Sequence, residues 1–221
     1  MHRSFLRTAY STVIRTGRKT RFQLSHAYPE DHYYNYIKLL LPWEHVFAYG
    51  RIVIVPYSRK SLVGGDICAD FSSQVGLNFS QMQKVDDRYR SLDALQCEAL
   101  RQLNLVLPDF ADSLEGWRKA QALRRVVIKQ LRTRPPLGSL LRPDEREAVQ
   151  AMFCPFNDAL AARYLPSGLP DDWLDVQIVE STVAPAEASK ALGQALLQAA
   201  SSGPRDVRPS ATKAGRSLGL W

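Results

Sequence analysis

The residues best suited to hold a charged ligand are concentrated in the first sixty positions of this 221-residue chain. That stretch has ten lysine and arginine residues against three acidic ones, so it carries the whole net charge of +7. Such a concentration of positive charge favours an anionic small molecule as a partner. For any single arginine, the alternative is an ordinary solvated surface.

Candidates for proton transfer also lie near the start of the chain, at His2, His26, Glu30 and His32. Histidine and glutamate act as general bases when a substrate hydroxyl lies within hydrogen-bonding reach. No spacing among these residues singles out one base, so we nominate no catalytic residue. The chain has four histidines and three scattered cysteines without a CxxC pair, and we expect no bound metal.

A loop that cradles phosphate needs successive backbone N–H groups and a lysine at a helix N-terminus. The Gly64-Gly65 pair has no lysine or hydroxyl residue in that register. Asp66 follows the pair, and capping of the next helix is enough to explain it. The sequence therefore offers no phosphate-cradling loop.

The spacing of apolar residues predicts a mainly α chain with one or two short β-strands, and these elements would position the candidate residues. The β-branched run Ile52–Val55 predicts a strand, and residues 66–75 predict a helix that Gly76 ends. Apolar residues at spacings of three and four predict five further helices, which begin near these positions: Phe5, Asp31, Ser91, Asp112 and Pro143. Pro42 and Pro155 should kink or divide two of them.

The second of these helices carries an aromatic stripe, Tyr33, Tyr36 and Trp43, that we expect in the core. Tyr34 lies off the stripe and is therefore freer to contact a substrate. The preceding loop, Arg18–Pro29, is basic and then polar, and it is long enough to line a site.

Three stretches together resemble the bacterial sulfotransferase-like proteins of the P-loop class. In the first, the strand at Ile52 is followed by Tyr57 and by the helix that leads to Val75-Gly76-Leu77. The second is Thr8-Ala9-Tyr10, which is similar to a Ser-x-Tyr motif of the family. The third is Phe156–Leu165, which is similar to the closing helix of the bacterial branch.

This resemblance implies a fold and a reaction. Residues 1–175 would form the C-terminal part of a three-layer α/β P-loop fold that lacks the N-terminal phosphosulfate-binding loop. The implied reaction transfers a sulfuryl group from 3′-phosphoadenosine 5′-phosphosulfate (PAPS) to a hydroxyl of a saccharide or glycolipid. Because the phosphosulfate loop is missing, we expect a truncated family member that would act as a transferase only if the missing N-terminal part were present, and no metal.

The resemblance also implies binding residues. Thr8 takes the place of the hydroxyl that holds the 3′-phosphate of PAPS, with Arg7 and Arg3 beside it. The residues expected to contact the saccharide-type acceptor are Arg18, His32 and Tyr34.

Two other functions stay open. One is a non-catalytic module of the same descent that binds an anion or nucleotide. The other is a basic nucleic-acid-binding protein, but no helix-turn-helix, RRM or zinc-finger signature supports it, so we expect no nucleic-acid partner. The segment Met1–Pro29, rich in arginine and free of acidic residues, is also typical of a mitochondrial transit peptide.

Composition predicts the compartment and the tail. No apolar run approaches the roughly eighteen residues of a transmembrane helix, and the scattered cysteines favour a reducing cytoplasm. Residues 176–221 are rich in small residues and are expected to form a low-complexity tail, with a transient helix at Ala186–Ala200 and disorder over Ser201–Trp221.

Overall fold

The computed structural model describes residues 2–23, 28–48, 50, 52–56, 62–79, 91–109, 112–169 and 183–220, with only the backbone of residues 2–7. Within these ranges the chain forms eight α-helices and a short 3₁₀ turn, Val63–Gly65. The helices are α1 (His2–Arg15), α2 (Tyr36–Phe47), α3 (Ile67–Val75), α4 (Ala94–Val106), α5 (Leu114–Leu131), α6 (Pro143–Tyr164), α7 (Pro185–Ser202) and α8 (Arg208–Ser217).

The chain divides into two compact units. Unit 1 comprises residues 1–4, 25–90 and 147–177, and unit 2 comprises residues 5–24, 91–146 and 178–221. Helices α2 and α3 belong to unit 1, whereas α4, α5, α7 and α8 belong to unit 2. The candidate site described below lies wholly within unit 2.

The predicted α/β fold is wrong for the residues that the structure describes. Residues 52–56, which include the expected strand Ile52–Val55, have no regular secondary structure, and no strand occurs in any described range. A β-branched run becomes a strand only when a neighbouring strand accepts and donates its backbone hydrogen bonds. No such neighbour stands among the described residues, so β propensity alone does not produce a sheet. The three-layer P-loop architecture is therefore withdrawn.

The aromatic stripe predicted for the core does not lie in it. Helix α2 has no buried residue, and Trp43 is 55% exposed. The helix begins at Tyr36, after Asn35 caps it by accepting from Lys38 N, and not at Asp31. Pro42 lies inside the helix without ending it. A stripe at helical spacing predicts the helix, but burial also requires a surface to cover it.

Several predicted boundaries are confirmed because the signals are local. Helix α1 ends just before Gly17, whose φ of 119° is open mainly to glycine. Asp66 caps α3 by accepting from Cys68 N at 2.8 Å, and Gly76 closes that helix in the left-handed conformation. Helix α6 begins at Pro143 as expected and continues through Pro155, which does not divide it.

The core of unit 2 is built around α7, which contacts α4, α5 and α8. One face of α7 presents alanines at spacings of three and four, and all of them are buried: Ala188, Ala191, Ala195 and Ala199. Leu192 and Leu196 lie in the same buried cluster. Small side chains let neighbouring helix backbones approach closely, and the leucines supply most of the apolar area removed from water.

The segment from residue 176 onward therefore differs from the disordered tail that its composition suggested. Its described part, residues 183–220, contains α7 and α8, and Ala211 and Ala214 of α8 are buried. Gly203 separates the two helices at a point where a Cβ would overlap the carbonyl oxygen of Ala199. Alanine is the strongest helix former, so a segment poor in aromatics can still fold when its small face meets a partner.

Two adjacent leucines test this packing. Leu196 is fully buried and Leu197 is 51% exposed. We expect Leu196→Ala to lower the free energy of unfolding by roughly 2–5 kcal/mol, because it leaves a cavity among four helices. Leu197→Ala should stay within about 0.5 kcal/mol of wild type. Urea unfolding of the full chain measures both, and equal losses in the two variants would contradict the packing of α7.

Candidate functional site

The loop that follows α1 is fixed to α4 by a buried asparagine. Asn104 is fully buried and donates from Nδ2 to the carbonyl oxygens of Ile14 at 2.9 Å and Arg18 at 2.8 Å. Its Oδ1 accepts from Arg124 Nε at 2.8 Å. One amide thus satisfies two carbonyls at the end of α1 and one guanidinium of α5, which determines where the loop begins.

Arg124 brings a buried positive charge to the same point. It is 1% exposed, and its Nη1 and Nη2 have no hydrogen-bond partner among the described residues. Burial lowers the pKa of Arg124, while the carboxylate of Asp109 acts in the opposite direction. A Cβ on Gly17 would lie 3.0 Å from Arg124 Nη2, so the guanidinium packs against the C-terminal end of α1. The partial negative charge at that helix end stabilises it.

Further contacts hold the rest of the loop. Arg101 Nη1 donates to the Lys19 carbonyl at 3.3 Å, and the Tyr10 hydroxyl donates to the Thr20 carbonyl at 3.1 Å. The Tyr10 ring meets Phe22 edge-to-face, with centroids 5.5 Å apart. The loop therefore presents its next residues, Arg21 and Phe22, in a defined place.

These residues line a cleft of about 330 Å³ in unit 2. Four chain segments form it: α1 and its following loop, α4, the α5–α6 connection and the start of α7. The lining residues are Tyr10, Arg21, Phe22, Ala94, Glu98, Ser139, Leu140, Val183 and Pro185. Most of the lining is apolar or aromatic, with a few polar groups, as in small-molecule sites.

The charges of the cleft come from three residues. Arg101 binds Glu98 through two hydrogen bonds of 2.7 Å, Nε to Oε2 and Nη2 to Oε1. Burial of Glu98 is the largest single influence and raises its pKa. The hydrogen bonds and charge of Arg101, a hydrogen bond from Gln102 and the charge of Arg21 together outweigh burial and hold the pKa below the usual range. Arg21 Nη2 lies 3.9 Å from Glu98 Oε1, and the Arg21 side chain is 64% exposed. Two guanidinium groups and one carboxylate leave a net positive charge.

Tyr10 is neutral at ordinary pH. Burial, followed by the nearby Cys97 and Glu98, raises its pKa to about 12, and Arg101 opposes this shift. Its hydroxyl proton is already donated to the Thr20 carbonyl, so the oxygen can only accept from a ligand. Ser139 is similarly engaged, because its Oγ donates to the Leu141 carbonyl at 2.8 Å. Arg21 is therefore the lining group best placed to donate to an anion.

The residues nominated from sequence for PAPS lie on α1. Thr8 is exposed, with its Oγ1 2.9 Å from Ser91 Oγ, and Arg3 and Arg7 lie in the first half of the helix. Arg18 follows the helix and donates its backbone N–H to the Val13 carbonyl. Helix α1 ends at Arg15, about 10 Å beyond Thr8 along the helix axis. Arg18 lies after this end, so the structure does not bring Arg18 and Thr8 into contact.

The other nominated residues belong to unit 1. Tyr34 is half-buried beside Tyr33, with ring centroids 5.3 Å apart, and the exposed His32 lies 3.7 Å from Asp31. Asp31 shapes this turn, because its Oδ1 accepts from Tyr33 N at 2.8 Å. Tyr57 lies outside the described residues. The assignments of His32, Tyr34 and Arg18 to an acceptor stay predictions.

Unit 1 has a charged cluster of its own, between α2 and α6. Arg163 donates to Glu44 through Nε at 2.8 Å and Nη2 at 2.6 Å, and the Tyr164 hydroxyl donates to Glu44 Oε1 at 2.5 Å. These bonds, with that from Arg163 foremost, lower the pKa of Glu44. A bidentate pair of this kind joins two helices and needs no ligand to explain it.

Sequence reasoning missed Glu98 and Arg101 as site residues. Their spacing of three on a predicted helix is a signal for an ion pair, and it could have drawn attention to that face of α4. Arg21 was counted within the basic stretch but was not separated from its neighbours. Nothing local in the sequence indicates that Leu140 and Val183 come to the same place.

Comparisons with protein-family models, curated proteins and solved structures find no match to this chain. The likeness to sulfotransferases therefore stays a prediction from the residues quoted above. None of the described helices is long and apolar enough to cross a membrane. Within the same ranges, no group of three or more His, Cys, Asp or Glu residues could hold a metal ion.

A substitution of Asn104 tests whether this amide holds the loop. Asn104→Ala should lower the free energy of unfolding by roughly 2–4 kcal/mol, because two carbonyls and the buried Arg124 guanidinium lose a partner together. The neighbouring Leu105 is 52% exposed, so Leu105→Ala serves as the control and should change stability by less than about 0.5 kcal/mol. Chemical denaturation gives both values. A small effect for Asn104→Ala would mean that the network is dispensable.

The raised pKa of Tyr10 predicts a pH dependence of stability. A group whose pKa is higher in the folded chain stabilises it fully below its unfolded pKa of 10.0, and this contribution is lost as pH rises toward about 12. Wild type should therefore lose stability relative to Tyr10→Phe between about pH 10 and about pH 12, because the unfolded wild-type chain ionises this hydroxyl while the folded chain keeps it protonated. Urea unfolding of both proteins across this range measures the difference. A constant difference would show that Tyr10 is not buried as described.

Proposed function

We propose that unit 2 is a small-molecule-binding module whose ligand carries a negative charge. The observation that carries the proposal is the position of Arg21 at a cleft with largely apolar walls. Its guanidinium is mostly exposed and has only a distant contact with Glu98, at 3.9 Å. A guanidinium with free donors beside apolar walls is suited to an anionic group attached to an apolar body.

The fixed geometry of the loop supports this proposal. Hydrogen bonds from Asn104, Arg101 and Tyr10 hold the backbone on the N-terminal side of Arg21. The apolar walls exclude part of the water that would otherwise weaken an ionic hydrogen bond. A preorganised donor loses little freedom when it binds, which strengthens binding for a given number of contacts.

The binding module was one of the functions left open by the sequence, and its positive charge is in keeping with the basic first sixty residues. Sulfuryl transfer from PAPS to a saccharide or glycolipid hydroxyl remains a separate prediction of the resemblance, and no catalytic base is nominated for it. Cys68, Cys97 and Cys154 are all free thiols, which supports the expectation of a reducing cytoplasm.

The experiment compares the full chain with two arginine variants. Isothermal titration with phenyl sulfate, phenyl phosphate and adenosine 3′,5′-bisphosphate should detect saturable binding of at least one of them. Arg21→Gln should weaken that binding by about tenfold or more, since a charge-assisted hydrogen bond is lost. The exposed Arg125 of α5 does not line the cleft, so Arg125→Gln should leave the affinity unchanged.

Two results would refute the proposal. One is that none of the three anions binds. The other is that Arg125→Gln weakens binding as much as Arg21→Gln, which would show general attraction to a basic surface and no defined site. Raising the salt concentration should weaken binding, because the mostly exposed Arg21 guanidinium is screened by counterions.

A further inference from the structure

The carboxylate of Glu98 gives the cleft a second property, which concerns the charge of its ligand. Glu98 is 16% exposed at the side chain, lines the cleft and remains ionised because Arg101 binds it. Arg101 directs its Nε and Nη2 to Glu98 and its Nη1 to the Lys19 carbonyl. Its donors are therefore largely used, and one guanidinium, that of Arg21, is left for a ligand.

The balance between these charges limits the ligand. One available guanidinium can neutralise a single negative charge, and a second negative charge on the ligand would lie close to the Glu98 carboxylate. Two like charges repel more strongly in a partly enclosed site than in water, and Arg101, which binds the Glu98 carboxylate, offsets only part of this repulsion. Rejection through an unfavourable charge is a common route to specificity.

The dimensions of the cleft limit the ligand independently. Its volume of about 330 Å³ is at the lower limit of the roughly 300–1,000 Å³ found for small-molecule sites. The edge-to-face pair of Tyr10 and Phe22 and the side chains of Leu140 and Val183 offer apolar contacts to a compact body. A nucleotide bisphosphate, with a base, a ribose and two phosphates, would extend out of the cleft into solvent and would make fewer apolar contacts for its size.

We infer that the cleft selects a monoanion with a single-ring or similarly compact apolar body, such as a sulfate monoester or a carboxylate, and rejects dianions of the same shape. This inference rests on the proposed function, which requires only that some small anion binds through Arg21. It goes further by assigning opposite roles to two side chains, with Arg21 attracting the ligand and Glu98 setting its charge.

Phenyl sulfate and phenyl phosphate form a matched pair for the test. They have nearly the same shape, but the phosphate is a dianion at about pH 8 and becomes largely a monoanion at about pH 5, since its second pKa is near 6. Two groups of the cleft favour a constant charge over this interval, because the pKa of Glu98 is held below its usual range and that of Tyr10 is raised to about 12.

The full chain should bind phenyl sulfate about tenfold or more tightly than phenyl phosphate at about pH 8, and the preference should largely vanish at about pH 5. Adenosine 3′,5′-bisphosphate should bind more weakly than phenyl sulfate at both pH values. Glu98→Gln should reduce the preference at about pH 8. The control Glu115→Gln removes an exposed carboxylate of α5 outside the cleft and should keep it.

The outcomes separate the two proposals. Equal or tighter binding of phenyl phosphate at about pH 8, with loss of that binding in Arg21→Gln, would overturn the monoanion preference and leave the anion-binding module standing. The pH comparison on wild type gives this result even when Glu98→Gln fails to fold. Absence of any Arg21-dependent binding would overturn both.

Discussion

The close packing of α7 against α4, α5 and α8 is the constraint on which the rest of unit 2 depends. The small side chains of the alanine face of α7 bury little apolar area themselves. They let the neighbouring helices approach closely, and the leucines around the face become buried as a result. The start of α7 also supplies Val183 and Pro185 to the cleft. Gln102 of α4 fixes that start by donating to the Pro185 carbonyl at 3.1 Å. Core and cleft are therefore parts of one packing arrangement.

Electrostatic interactions and hydrogen bonds hold the loop after α1, which contributes Arg21 and Phe22 to the cleft. The buried guanidinium of Arg124 would be costly alone, because its Nη atoms have no described hydrogen-bond partner. The end of α1, Asp109 and Asn104 together offset part of this cost, although burial still lowers the pKa of Arg124. Asn104 also links this charge to the loop, because the same amide that binds Arg124 donates to the carbonyls of Ile14 and Arg18. A small hydrogen-bond network can thus determine the conformation of a loop that the loop's local sequence does not determine.

The sequence could predict what depends on a few neighbouring residues. The end of α1 at Gly17, the caps of α3 at Asp66 and Gly76 and the start of α6 at Pro143 follow from backbone preferences. Features that depend on distant partners were predicted wrongly. The β-branched Ile52–Val55 needed a second strand, and the stripe of α2 needed a surface to cover it. The segment Ala186–Ala200, predicted as a transient helix, packs against α4 and α5 as α7, and α8 forms where composition indicated disorder.

For the candidate site, the sequence could predict only a net positive charge, and it could not predict which residues line the cleft. An excess of lysine and arginine among the first sixty residues indicates an anionic partner, but it does not say which guanidinium remains available. That selection is made by pairing: Arg101 is engaged by Glu98, Arg124 by Asn104, and Arg21 is left facing solvent at the cleft. The Glu98–Arg101 pair has a local signal in its spacing of three, but the contact between Arg124 and Asn104 joins two helices, so charge counting along the chain cannot identify it. The charge available to a ligand therefore depends on which cations the fold leaves only weakly paired, as with Arg21 at 3.9 Å from Glu98, and total charge is a poor guide to it.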